Sequence, residues 1–191
     1  MAFGIRSGLI SSRVAVEALL GRLGAVNPII KAVTAVHSKD ALVQADEADC
    51  AVRRGDPLGL LHGVPFTTKE NVDQAGAATT QGVVSLRGNI ASTDSSSVAN
   101  LRKAGAIMIG RTNMSPFAMR WHTDNDLHGP TFNPWSRDRT PGGSSGGGCR
   151  VARGRDYGSR PWQRLRRIDS IPRLLLRSSR HQAHGWESAD I

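Results

Sequence analysis

Between Gly142 and Arg155 the chain passes from "GGSSGGG" to "CRVARGR", and with that change its hydrophobic patterning stops. Upstream, apolar residues recur at helical or strand spacing. Downstream, residues 149–191 hold one short apolar run, Leu174–Leu176, and no sustained period. A segment that buries little apolar surface cannot offset the entropy of ordering its backbone, so the tail reads as disordered and any packed core is confined to residues 1–148.

Within that first region, "SSRVAVEALLGRLGAVNP" places Val16, Leu19, Leu20 and Leu23 on one stripe, with Ser11 or Ser12 as N-cap and Pro28 past the end. "SKDALVQADEADCAVRRGDP" predicts a second helix capped by Ser38, with Ala41, Leu42, Ala45 and Val52 inward and Arg53 and Arg54 near its C-terminal end. "VPFTTKENV" reads as a strand with Lys69 at or near its end. "DSSSVANLRKAGAIMIGRTN" gives a capped helix with Val98 and Leu101 inward, a stop at Gly105, and a buried strand Ile107–Ile109 before Gly110. Helices alternating with short apolar strands predict an α/β layer architecture. From Met114 to Gly148 the chain is aperiodic, and long irregular segments in compact domains are often functional.

The length of 191 residues and apolar content of 39% suit one ordinary domain. No apolar run approaches the roughly 20 residues that span a bilayer, and "MAFGIRSGLISSR" lacks the apolar core of a secretory signal, so a cytoplasmic protein with no membrane partner is expected. Cys50 and Cys149 sit in unrelated contexts, which supports neither a disulfide framework nor a Cys-x-x-Cys site. His62, His122 and His128 have no paired spacing and read as loop or core histidines, while His181 and His184 have no nearby Cys or carboxylate to complete a metal site.

Chemistry is concentrated in Lys69, Ser144 and Ser145. A serine hydroxyl becomes a nucleophile when a base takes its proton, and a desolvated lysine can be that base. Gly142, Gly143, Gly146 and Gly147 let the backbone approach a reacting group closely. Alone, a Gly/Ser cluster reads more often as a linker and a strand-end lysine as a solvated surface residue. However, "GLLHGVPFTTKENVD", "VANLRKAGAIMIGRTNMSPFAM" and "TDNDLHGPTFNPWSRDRTPGGSSGG" together resemble the amidase signature family, and "VEALLGRLGAVNP" is similar to its opening helix. The resemblance implies an α/β fold, a mixed β-sheet covered by helices and here incomplete, and hydrolysis of a small carboxamide substrate through an acyl-enzyme without metal or organic cofactor. By it Lys69 matches the catalytic lysine, Ser144 the bridging serine that follows a cis peptide bond, and Ser145 a neighbour of lesser role. It carries no implication for oligomeric state.

Three departures matter. Pro116 stands where "NMSEFA" is commoner, and Trp121 replaces a small residue. More seriously, the family's nucleophile lies in an "Asp-x-Gly-Gly-Ser-Ile-Arg" loop, and its position here is Ile168. Codons compatible with "WQRLRRIDSIPRLLLRSSRHQAHGW", read one base later, allow "GNDFGGSIRYPAYCCGVAGIKPTVG", in which the nucleophile's codon overlaps those of Ile168 and Asp169. The expectation is a reading-frame break near Gly147 or Gly148. Residues 149–191 would then be an out-of-frame translation of a truncated, inactive amidase chain.

The charge distribution agrees. The tail's ten arginines, no lysine and four acids supply six of the nine net positive charges, and GC-rich glycine and alanine codons read out of frame become arginine codons. A rival reading makes the tail a nucleic-acid-binding element, with arginines on phosphates and Tyr157, Trp162 and Trp186 stacking on bases. It lacks a recognised motif and leaves residues 58–148 unexplained, so nucleic acid is the less favoured partner. A noncatalytic interaction fragment is the third alternative.

Overall fold

The computed structural model describes residues 1–148. The tail, with Ile168, His181, His184 and the ten arginines of the nucleic-acid reading, lies outside them. The order is α1 (Ala2–Arg6), α2 (Ser12–Ile30), β1 (Val33–Val36), α3 (Ser38–Arg54), β2 (Pro65–Lys69), α4 (Ser96–Lys103) and β3 (Ile107–Thr112), followed by irregular chain with one 3₁₀ turn at Pro116–Ala118.

The strands form a mixed sheet in the order β1-β3-β2, with β3 antiparallel to β1 and parallel to β2. Central β3 is buried at every residue. Its side chains alternate between two cores, as strand geometry demands. Ile107 and Ile109 pack with Val16, Leu19 and Leu23 of α2 and Ala41, Ala45 and Ala48 of α3, while Met108 packs with Phe66 of β2 and Val98 of α4. The result is the expected α/β architecture, a sheet with helices on both faces.

Three local expectations are corrected. Pro28 lies inside α2, which runs on to Ile30 and ends on Lys31 in the left-handed region. Proline's fixed φ is helical, it forfeits only one hydrogen bond in the last turn, and burying Val26 and Ile30 favours continuing. The residue preceding α3 is His37, so Ser38 opens the helix instead of capping it. Strand β3 does not end before Gly110 but passes through it. There Ala35 of β1 crosses so closely that its carbonyl oxygen occupies the space a Cβ would need. Strand β1 itself went unread, because four residues wedged between two helices show too short an alternation.

The N-terminus of α2 is capped twice. Ser11 Oγ accepts from Val14 N, and Asp49 on α3 accepts from Ser11 Oγ and Ser12 N at 2.6 Å and from Arg13 N at 3.0 Å. A carboxylate at a helix N-terminus satisfies orphan donors and suits the dipole. Burial alone would raise the Asp49 carboxyl, but hydrogen bonds from Ser11, Arg13 and Ser12 outweigh it and hold it below its ordinary range. Among the described residues, no helix is long and apolar enough to cross a membrane.

Candidate active site

Strand β2 ends on Lys69, and the irregular chain after β3 returns to meet it. Lys69 Nζ donates to Ser144 Oγ at 2.9 Å and to Ser145 Oγ at 3.1 Å. Ser144 is half-buried, Ser145 is exposed, and the Gly143–Ser144 peptide bond is cis. All three residues singled out from sequence therefore meet at one point.

The glycines around them are explained by what they touch. A Cβ on Gly147 would lie 2.6 Å from Ala32 O and 2.7 Å from Asn113 O, so backbone packs against backbone there and only glycine fits. Thr123 Oγ1 donates to Gly142 O at 3.0 Å and accepts from Gly146 N at 2.9 Å. Thr123, 1% exposed, thus grips the segment on both sides of Ser144. Asn113, also buried, donates to Gly129 O and Thr131 Oγ1 and accepts from Asn125 Nδ2 and Met114 N.

Next to Lys69, Glu70 is buried. Its carboxylate accepts from Thr34 Oγ1 at 2.5 Å and from Thr80 Oγ1, and lies 3.0 Å from His128 Nε2. Burial pushes this carboxyl up, yet the hydrogen bonds from His128, Thr34 and Thr80 prevail and leave it below the usual glutamate range. Arg111 of β3 is likewise buried; burial lowers its pKa, opposed by the charges of Glu70 and Asp73, and it donates to Ala78 O and to Val72 O.

Sequence reasoning missed Thr123 and the Glu70–His128 contact. His128 read as a loop or core histidine because its partner is 58 positions away. His62 fits the loop reading, with Nε2 2.9 Å from Ala48 O. At the departures, Pro116 begins a turn in which Phe117 takes φ 48°, and Trp121 is 90% exposed. No group of three or more His, Cys, Asp or Glu among the described residues is placed to hold a metal ion.

A model of the amidase family matches residues 14–154. The chain is 53% identical over 154 residues to an indoleacetamide hydrolase of Bradyrhizobium diazoefficiens, covering 80% of this chain and 29% of that protein. It is 38% identical over 156 residues to one subunit of a glutamyl-tRNA(Gln) amidotransferase of Prochlorococcus marinus, covering 81% and 32%. A bacterial aryl acylamidase of the amidase signature family superposes with a TM-score of 0.74 at 28% identity, over 79% of this chain and 32% of that one. The chain spans about a third of the length of these relatives. With the family match running through β2, β3 and the glycine–serine segment, the chain belongs to the amidase signature family.

Proposed function

We propose that this chain carries the lysine–serine part of an amide-hydrolysing site, in which Lys69 and Ser144 relay a proton for a nucleophilic serine. The observation that carries this reading is the 2.9 Å contact from Lys69 Nζ to Ser144 Oγ. In the relay a neutral Lys69 takes the Ser144 proton as Ser144 takes that of the attacking hydroxyl. The reverse transfer delivers the proton to the departing amine. A primary amide on an arylacetic acid is the favoured substrate class, supported by the name of the indoleacetamide hydrolase relative.

In the present reading frame the expected nucleophile is replaced by Ile168, whose side chain has no atom able to attack a carbonyl. We read the arginine-rich residues after Gly148 as an out-of-frame translation and the chain as catalytically inactive. Support comes from the family match stopping at residue 154, a few residues past the change in composition.

The test has two parts. The nucleotide sequence after the Ser144 codon, read one base later, is expected to encode Gly-Gly-Ser-Ile-Arg over the codons of Arg166 to Ile171 and to continue open. The protein from the restored frame is expected to hydrolyse indole-3-acetamide, and the present chain not to. A closed or unrelated frame, or turnover by the present chain, overturns the reading.

A further inference from the structure

We propose that Glu70 and His128 form a positioning pair that docks the loop of residues 123–131 and, through Thr123, sets Ser144 against Lys69. The connection is a closed circuit of contacts. Lys69 closes β2 and Glu70 follows it directly, so one backbone segment carries both side chains. One holds Ser144 directly. The other holds His128.

The path back from His128 to Ser144 runs through short bonds that are buried or part-buried. The backbone N–H groups of Leu127 and His128 both donate to Asn125 Oδ1, at 3.0 and 2.8 Å, which fixes the direction in which His128 leaves the loop. Asn125 Nδ2 in turn donates to Asn113 Oδ1 and Met114 O at 2.7 Å, anchoring the turn to the end of β3. Thr131 N donates to Thr123 O at 2.9 Å and closes the loop on itself. Thr123 Oγ1 then directs its one donor to Gly142 O and accepts from Gly146 N, bracketing Ser144.

Within this circuit the Glu70–His128 contact is the one made between side chains of opposite potential charge, on a carboxylate 6% exposed. Hydrogen bonds to charged groups are worth more than neutral ones, and removing the donor leaves a buried carboxylate with an unmet lone pair. Thr34 and Thr80 fill other sites on the same carboxylate, so Glu70 is already fixed in place when His128 arrives. The pair therefore positions the loop and is not itself a reacting group.

The functional meaning of this inference rests on the proton-relay reading, but its test does not need turnover. The chain has four lysines, Lys31, Lys39, Lys69 and Lys103, and Lys31 adjoins the loop through its carbonyl, so brief acetylation followed by peptide mass spectrometry reads Lys69 against two internal controls, Lys39 and Lys103. His128→Phe keeps a ring but loses the donor, and His128→Gln keeps a donor. Losing one hydrogen bond to a charged group shifts a docking equilibrium by about tenfold or more. His128→Phe is thus expected to raise Lys69 labelling by about that factor relative to Lys39 and Lys103, with faster amide exchange in residues 123–131 and 142–147. His128→Gln is expected to restore both. Should His128→Phe raise all four lysines together through unfolding, Thr123→Val decides, and must raise Lys69 alone. Unchanged Lys69 labelling in folded His128→Phe or in Thr123→Val, or equal effects of His128→Phe and His128→Gln, overturns the proposal.

Discussion

Lys69 Nζ holds Ser144 Oγ at 2.9 Å although the two residues stand 75 positions apart, and the same nitrogen reaches Ser145 Oγ at 3.1 Å. Ser144 is half-buried and Ser145 exposed, which favours Ser144 for the proposed relay and Ser145 for a supporting contact. In the frame-restored protein, Lys69→Ala is expected to lower kcat/KM on indole-3-acetamide by about 10²–10⁴, the usual worth of a positioned acid–base group. Ser145→Ala is expected to cost far less. The present chain is expected to show no turnover with or without these substitutions or Ser170→Ala, because Ser170 lies two residues beyond the expected nucleophile and between Asp169 and Ile171. Steady-state assays of the two proteins and their variants check this.

Asp49 joins α3 to the first turn of α2 through three acceptor contacts. Asp49→Ala should destabilise the fold by about 1–2 kcal/mol, as the loss of a helix cap does, with the loosening concentrated at residues 11–15. Urea unfolding gives the first quantity and amide exchange the second. Asp49→Asn, which keeps an acceptor, should recover part of the loss.

Elements with a long period or a strong stop were legible in the sequence. α2 and α3 have enough turns to show a stripe, and Gly105 announces the end of α4 with φ +86°. β1 was not legible, since four residues carry no decisive period. Lys69 and Ser144 were picked out through the family resemblance of the segments around them, because a glycine–serine cluster alone reads as a linker and a lone strand-end lysine as a surface residue. Glu70, Thr123 and His128 were hidden because their partners are distant in sequence, and the chemistry of a lone histidine or threonine is set by whichever group the fold brings to it.

Gly147 tests how tightly the glycine–serine segment is seated. Its neighbours are backbone atoms of residues 32 and 113, which belong to the rim of the sheet and have no flexible end to move aside. Gly147→Ala is expected to cost about 1–3 kcal/mol through overpacking and to raise Lys69 acetylation while sparing Lys39. An equally stable variant with protected Lys69 would show that the segment has room to shift.

Glu70 makes the site sensitive to acid in a direction that follows from its environment. Burial opposes its charge, but the hydrogen bonds from His128, Thr34 and Thr80 win, so its carboxyl titrates lower in the folded protein than in the unfolded chain. Between those two values the unfolded chain binds the extra proton. Stability contributed by Glu70 is therefore fully present above its unfolded value of about 4.3 and is lost as pH falls through the lower folded value. Asp49, shifted the same way, adds a smaller effect at its more exposed position. Glu70→Gln should lower stability at neutral pH and flatten the dependence on pH below about 5, because the replacement has no proton to gain. Urea midpoints measured at intervals from neutral to acid pH check the sign: parallel curves for Glu70→Gln and the parent chain would show that the Glu70 carboxyl titrates alike in the folded and unfolded protein and contributes no acid sensitivity.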